Sequence, residues 1–460
     1  MRLRSTVAKA DPGGVHRETS AMDTYRRIEP HLRRIGLTRI ADITGLDRIG
    51  IPVFNAICPR ANDTVSVYSG KGTSPTDART SAVMEAVERF CAGLPLRPEA
   101  VDSYTDLRRQ GRPAVPPAEF LIERSPGYHD GQVISWVSGY DLVADAAVLV
   151  PAHALAYGAA GFHEPGCFAY TTTNGLAAGN SLEEAICHAL TEVIERDAYT
   201  LAEVVDRQLP VVLRRRLGAE AGRRIAARLP GRPPLDPGSL PAAATDLVER
   251  FTAAGVAIHL TDITSDLGIP TFRAISVEDL GSRTSAGHHG VGTHPDAQVA
   301  LVRALTECAQ SRAVDIQAMR EDIHQPGADV PDTLLHVRRA TPRELADHLP
   351  PPGGEPRRFD EIRSYRHDDL MADIGLLLER LCRAGCRQVV AVDVSAPDLP
   401  ATVVRVLVPG AESWGIDRGR LGRRAARAWR TALAGITGQP GDVAPTAAVV
   451  LVEPAVEALR

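Results

Sequence analysis

Lysine is nearly missing from this chain: of 52 Lys and Arg residues, only Lys9 and Lys71 are lysine. That bias, beside 39 Gly and 34 Pro, reads as the mark of a GC-rich genome. It singles out Lys71, the one lysine beyond the N-terminus. A surplus of positive charge is missing too, and the formal charge of -5 excludes a nucleic-acid binder driven by bulk charge. The seven cysteines are scattered, odd in number and contain no C-x-x-C pair. This excludes a disulfide framework and a zinc ribbon. Cys187 and Cys308 stand among helical residues and read as small core fillers. No apolar run of membrane-spanning length occurs, and the N-terminus lacks the apolar centre of a signal peptide. The expected location is the cytoplasm, without membrane attachment. No internal repeat at a solenoid period is present.

What remains is a soluble globular composition, 44% hydrophobic and 24% charged. A length of 460 residues points to one large elaborated domain or two to three lobes. Periodicity and turn residues predict an α/β chain. A helix over 21–35 leads to short strands over 37–57 and a strand over 65–68. A helix follows Ser74-Pro-Thr-Asp77 to about Cys91, and the stretches 135–142 and 147–151 read as a hairpin-like pair. Residues 154–167 are Gly-rich loop, and 209–241 an Arg/Pro-rich surface elaboration. Next come a helix over 242–255, strands over 257–262 and 271–277, and a helix over 297–319. After a Pro/Gly-interrupted surface segment at 325–356, a helix (371–385), two strands (388–394 and 403–408) and a helix (425–433) complete the pattern. Residues 447–452 read as a last strand or tail.

Three of these helices share one feature. Taken at about 100° per residue, Ala82, Val83, Ala86, Val87 and Phe90 fall on one side of the helix over 78–91, with Ser81, Glu85 and Glu88 nearly opposite. In the helix over 182–199, Glu184 and Glu195 oppose the apolar side, while Glu192 lies nearer its edge; His188 continues the outer stripe. Over 297–319, Arg303, Glu307 and Gln310 form an i, i+4, i+7 stripe. Periodicity alone establishes amphipathic helices, for which a solvated acidic face or a local Arg303–Glu307 pair is sufficient. Three features favour a site. The acidic faces carry almost no cations between their glutamates. Each helix follows a Gly-, Ser- or Asn-rich stretch (70–73, 174–181 and 287–293), read as a loop that can present backbone N–H groups to phosphate. Lys71 and Arg303 supply the cations that a triphosphate needs. Clustered carboxylates require divalent cations to stay ionised together, and oxygen-only ligands favour Mg²⁺.

Gly70-Lys-Gly followed by Ser81-Ala-Val-Met-Glu-Ala-Val-Glu-Arg89 resembles the first signature of the YcaO family. Asn174-Gly-Leu-Ala-Ala-Gly-Asn-Ser with Glu184-Ala and Glu192-Val-Ile-Glu-Arg-Asp197 resembles the second. Gly292-Thr-His-Pro-Asp with Arg303-Ala-Leu-Thr-Glu-Cys-Ala-Gln-Ser-Arg312 resembles the third. The likeness runs from about residue 20 to about 425 in the same order. It implies mixed sheets flanked by helices, with ATP and Mg²⁺ between helices, and activation of a peptide-backbone amide by phosphorylation of its oxygen. The implied organisation is an N-terminal segment (1–60), the YcaO domain (61–425) and a C-terminal helix and tail (426–460). By the same resemblance, Arg17, Thr24, Lys71, Ser81, Glu85, Asn180, Glu184, Arg196 and Arg303 fall on nucleotide positions. Glu85, Glu88, Glu184, Glu192, Glu195 and Glu307 fall on metal positions, with Arg196, Arg303 and Glu307 closest to the chemistry. A P-loop is excluded because Val65 stands where its first glycine would be. Phosphoryl transfer needs positioning and charge neutralisation, so no nucleophilic Ser or Cys is expected in the chain. His188, His288 and His289 are candidate acid/base groups, each with a structural reading beside it.

Azoline-forming members of the family use a side chain of the substrate as nucleophile and typically end in a Pro-x-Pro-x-Pro tail. This chain ends Leu451-Val-Glu-Pro-Ala-Val-Glu-Ala-Leu-Arg460, and no long leader-binding module is expected in the roughly 60 residues before the first signature. Residues 36–52 and Val408-Pro-Gly-Ala-Glu412 resemble instead the TfuA-associated branch, although Ala411 stands where that branch more often has Leu. The resemblance implies thioamide formation with external sulfide, a TfuA-like protein that delivers the sulfide, a peptide or protein substrate, and a homodimer. The alternatives are cyclodehydration to an azoline or macroamidine, and a silent scaffold that binds a peptide for a partner.

Overall fold

The computed structural model describes residues 1–10, 16–59, 61, 66–120, 128–157, 172–229, 231–281, 284–318, 353–413 and 421–437. Most of the surface segment expected over 325–356, most of the loop over 154–167, Cys167 and the tail over 447–452 lie outside the described residues. Among the described residues the cysteines are free thiols, and no helix is long and apolar enough to cross a membrane. Cys187 and Cys308 are buried in apolar clusters, as expected of core fillers.

Helix α1 (Ala21–Ile28) starts at Ser20, whose side chain accepts from the Asp23 N–H. It is shorter than expected because Pro30 turns the chain into a 3-10 segment, Glu29–His31. Strands β1 (Arg39–Asp42), β2 (Val53–Ile57) and β3 (Val67–Lys71) form an antiparallel sheet in that order. Helix α2 (Pro75–Ala92) follows Ser74, which caps the Asp77 N–H, with Pro75 at the first helical position. Next come β4 (Ala100–Ser103), α3 (Tyr104–Arg109), and the antiparallel pair β5 (Val133–Asp141) and β6 (Ala146–Pro151). Strand β7 (Leu176–Gly179) leads into α4 (Leu182–Glu203), capped by Ser181. A π-helical turn, Val204–Gln208, joins α4 to α5 (Leu209–Leu217) and α6 (Ala219–Ala226). Leu209 and Leu213, expected in a surface elaboration, are instead buried beside Trp429 and Leu433.

Helix α7 (Ala242–Ala253) precedes strands β8 (Ala257–Asp262), β9 (Thr271–Gly281) and β10 (Thr284–Thr293), which form a second antiparallel sheet. Then come α8 (Ala297–Ala318), α9 (Leu370–Arg383), β11 (Val390–Asp393), β12 (Thr402–Leu407) and α10 (Arg423–Thr437). The third sheet has the order β4-β5-β11-β12-β7, with β6 also on β5. Each acid-bearing helix buries its apolar side on a different core. Val83, Ala86 and Val87 of α2 pack with Ala56, Tyr68 and Ala178. Ile186, Leu190 and Ile194 of α4 pack with Val404, Val406 and Leu377. Leu301, Ala304 and Leu305 of α8 pack with Phe272, Ala274 and Phe251. The polar stripes are thereby left to face elsewhere.

The Gly-rich stretch before α8, read from sequence as a phosphate loop, is strand: residues 287–293 all lie in β10. Part of each of the other two stretches is also strand, in β3 and β7. Their glycines bring strand and helix together. A Cβ on Gly70 would stand 2.0 Å from the Ala82 nitrogen of α2, and one on Gly292 would stand 2.1 Å from the Ala300 carbonyl oxygen of α8. Only hydrogen at Cα permits that approach.

Candidate functional site

The three polar stripes meet. On α8, Glu307 accepts from Lys71 Nζ of β3 at 2.6 Å and from the Val291 N–H of β10 at 3.3 Å. Burial alone would raise the Glu307 pKa. The fields of Lys71 and Arg196, with those hydrogen bonds, overcome it and hold the carboxyl at about 2. Glu195, buried on α4, is pushed the other way to about 7, by burial first and then by the charge of Glu307. Arg196, Arg303 and Lys71 oppose that rise. Glu195 and Glu307 thus share one field with three cations drawn from α4, α8 and β3.

A second group of carboxylates lies between α2 and α4. Glu88 is buried, accepts from the Ala178 N–H of β7 at 3.1 Å, and has its pKa raised well above the carboxylate range. Burial is the main cause, followed by the charges of Glu85 and Glu192. Glu192 is raised for the same reason, with Glu85 adding to burial and Arg196 and Arg405 opposing. Arg89 donates to Glu85 Oε1 from Nε at 2.9 Å and from Nη2 at 2.7 Å, and it also reaches the Tyr157 hydroxyl. Arg196 donates to Glu192 at 3.3 Å, and Glu192, Glu195 and Glu307 all raise its pKa. Arg196 therefore joins the two groups.

The third group surrounds the first turn of α4. Glu184 accepts from the Asn180 amide at 3.0 Å on both oxygens, from Arg17 Nη1 at 3.2 Å and from the Glu18 N–H at 2.9 Å. The Asn180 side-chain oxygen accepts from Thr24 at 2.9 Å and from Arg27. One turn further along α4, His188 stands between two guanidiniums: Arg17 Nη2 lies 3.2 Å from its Nδ1 and Arg303 Nη2 lies 3.3 Å from its Nε2. Burial and the charges of Arg17, Arg303 and Lys71 keep the imidazole neutral, its pKa well below the usual value. A neutral ring accepts at only one nitrogen, so one of the two arginines faces an N–H and is free to turn toward an anion.

Of the residues expected from sequence, Arg17, Thr24, Asn180 and Glu184 form one group, Glu85, Glu88 and Glu192 a second, and Lys71, Glu195, Arg303 and Glu307 a third. Ser81 is partly buried one turn before Glu85 on α2. His188 enters the site as a neutral spacer between arginines. His288 turns instead to Asp315 at 3.1 Å, and His289 stacks on Tyr199 with ring centroids 5.9 Å apart. Sequence reasoning passed over Arg89 and Arg405. Arg89 was visible as the i+4 partner of Glu85, whereas nothing in the pattern of β12 marked Arg405.

The residues present fit a divalent cation and an anionic ligand. Three carboxyls raised at once show that ionising this oxygen-only set together requires added positive charge. Among the described residues, the buried Nε of Arg303 has no hydrogen-bond partner, which leaves a donor available to an anion.

Comparisons with known proteins point the same way. The family model described as YcaO cyclodehydratase, ATP- and Mg²⁺-binding, matches residues 69–412. An uncharacterized protein of Methanothermobacter thermautotrophicus is 36% identical over 407 residues, which is 87% of this chain and 96% of that protein. An uncharacterized protein in the tfuA 3′ region of Rhizobium leguminosarum bv. trifolii is 32% identical over 402 residues, covering 86% of this chain and 88% of that one. Among solved structures, YcaO from Methanopyrus kandleri bound with AMPPCP and Mg²⁺ matches at a TM-score of 0.64 and 25% identity, over 91% of this chain and 99% of that one. A heterocyclase in complex with substrate and cofactor has a TM-score of 0.72 at 22% identity; the match covers 93% of this chain but 57% of the heterocyclase, a likeness of fold.

Proposed function

This chain belongs to the YcaO family, and from that membership we infer that it uses ATP and Mg²⁺ to activate a peptide-backbone amide for attack by external sulfide, giving a thioamide. The observation that carries the nucleotide part is the meeting of three polar stripes, those of α4 and α8 around Lys71, Arg196 and Arg303 and that of α2 through Glu85, Glu88 and Glu192. Glu85, Glu88, Glu184, Glu192, Glu195 and Glu307 would hold Mg²⁺, which neutralises phosphate charge when bound. Arg17, Thr24, Lys71, Ser81, Asn180 and Arg303 would bind the nucleotide. Arg196, held among Glu192, Glu195 and Glu307, orients those carboxylates and offers its remaining donors to the transferring phosphoryl group.

An amide oxygen is a poor leaving group, which is why activation is needed. Hydrosulfide adds to the amide carbon, the oxygen of the adduct takes the terminal phosphoryl group of ATP, and the C–O bond breaks with loss of phosphate. Amide, hydrosulfide and ATP give thioamide, ADP and phosphate, with no oxidant or reductant. The chain's residues position and neutralise, so no nucleophile of its own is required. Sulfide is favoured by the relative in the tfuA 3′ region and by residues 36–52 and 408–412. The reading includes a peptide or protein substrate, a TfuA-like partner and a homodimer.

Cyclodehydration by the same chemistry is the second reading, favoured by the description of the matching family model. Mass spectrometry of a modified peptide separates the two: exchange of oxygen for sulfur, dependent on added sulfide, supports thioamidation, while loss of water without sulfide supports cyclodehydration. ATP turnover by the wild type and its absence in Glu85→Ala and Glu195→Ala would exclude a silent scaffold.

A further inference from the structure

Lys9 is the lysine that the proposed chemistry leaves unused. Its side chain is fully buried, as is that of Asp373 on α9, and the two form an ion pair at 2.6 Å. The ammonium also meets His16 Nδ1 at 2.9 Å and donates to the His367 carbonyl at 2.7 Å. A carboxylate, an imidazole and a carbonyl thus surround the ammonium. Asp373 takes His367 Nδ1 at 2.8 Å on its other oxygen, and the His16 ring packs edge-on against His294 at 4.6 Å. In a chain that uses arginine nearly everywhere, a compact ammonium suits this closed space and a planar guanidinium does not.

The residue Lys9 holds is unusual. His16 has φ of 55°, a left-handed conformation that a residue with a Cβ adopts at a cost and keeps only when its surroundings fix it. The next two residues are the ones that reach the nucleotide site. Arg17 donates to Glu184 and approaches His188, and the Glu18 N–H donates to Glu184. The Arg17 carbonyl accepts from the Ala10 N–H at 2.8 Å, directly after Lys9. The segment before Lys9 is fixed independently: Val7 bonds Asp369 and Leu370, and Arg4 bonds Glu183. Releasing the Lys9–His16 contact would therefore loosen the aim of the Arg17 side chain while the Ala10–Arg17 and Glu18–Glu184 bonds keep the segment attached.

We propose that Lys9 is a positioning residue of the nucleotide site, acting through Arg17: its buried ammonium fixes the left-handed turn at His16 that aims the Arg17 guanidinium at Glu184 and His188. This rests on the reading that the three-helix site binds Mg-ATP. The test is equilibrium binding of a fluorescent ATP analogue with Mg²⁺, which requires neither peptide nor sulfide. Lys9→Met is expected to weaken binding about tenfold, as for loss of one charge-assisted hydrogen bond. In an Arg17→Ala background the same change should weaken it less than about twofold, since it acts through a side chain no longer present. Equal losses in both backgrounds, or wild-type binding by folded Lys9→Met, would overturn the proposal. His16→Gly, which adopts the left-handed backbone freely, offers Lys9 no side-chain acceptor and leaves the Lys9–Asp373 pair intact, is run in both backgrounds under the same criteria and decides the matter if Lys9→Met does not fold. If the wild type binds no nucleotide, the underlying reading of the site fails instead, and the proposal with it.

Discussion

Lys71 Nζ and Glu307 Oε2 meet at 2.6 Å although 236 residues separate them in sequence. Lys71 ends β3, Glu307 lies midway along α8, and the contact ties the first signature to the third. Replacing Lys71 with Met removes the strongest cationic influence on Glu307, so that burial then acts unopposed by it. We expect Mg-ATP affinity to fall by about tenfold to a hundredfold, the range for a lost charge-assisted hydrogen bond. Titration calorimetry reads this directly, and unchanged affinity would remove Lys71 from the site.

Above neutrality, stability should fall with rising pH in the protein free of metal and nucleotide. Glu195 titrates at about 7 in the fold against an ordinary 4.5, raised by burial and by Glu307. Between those values the folded state holds the extra proton, so the contribution is full below 4.5 and is lost as pH rises through about 7. Glu88 and Glu192 shift in the same direction. Glu307, held at about 2, has the opposite sign, but its contribution disappears only in acid, as pH falls from 4.5 toward 2. The imidazoles of His188, His289 and His294, held below the ordinary 6.5 by burial first, act with the opposite sign up to that pH, so the decline in the thermal midpoint should show above it, from about pH 7 to 8.5. Saturating Mg²⁺ with a non-hydrolysable ATP analogue should flatten the decline and release protons on binding. A midpoint that rises with pH over that range would contradict the charge arrangement.

A Gly292→Ala change tests how the third stripe is placed. The added Cβ would stand 2.1 Å from the Ala300 oxygen and 2.5 Å from the Ala304 nitrogen, both backbone atoms of α8. Strand and helix must part, and overpacking of this kind costs about 1–3 kcal/mol. Because Arg303 and Glu307 ride on α8, nucleotide affinity should drop along with the urea midpoint. Full stability in the variant would show that β10 and α8 are less closely apposed.

The acidic stripes were legible because α2, α4 and α8 are long and repeat polar residues at three- and four-residue spacing, and Ser74 and Ser181 mark two of their starts. Convergence was not, since i, i+4 spacing describes one helix and carries no information about its neighbours. The stretch over 287–293 misled for a physical reason: a glycine needed for close packing on a helix looks the same in sequence as one needed for a phosphate turn. Lys9, one of two lysines and close to the N-terminus, gave no sign of burial. Its partner Asp373 lies more than 360 residues away, one turn into α9. Likewise Glu412, met first as part of a branch signature, accepts from the Gly422 and Ala425 N–H groups and so caps α10.

Asp197, two residues past Glu195, joins the site to that C-terminal helix. Its carboxylate is fully buried and takes two hydrogen bonds from Arg424 of α10, Nε to Oδ1 and Nη2 to Oδ2, each 2.8 Å. The Glu412 N–H adds a third at 3.0 Å. Burial raises the Asp197 pKa, and Arg424 is the main influence against that rise. Arg424→Ala leaves the carboxylate buried beside a single N–H donor, a loss of about 3–5 kcal/mol for a broken buried pair. The double change Arg424→Ala with Asp197→Asn should recover part of that loss, because the uncompensated charge is gone. Urea unfolding of the two single variants and the double variant measures the coupling. A double variant less stable than Arg424→Ala would show that the pair contributes through packing and not through charge.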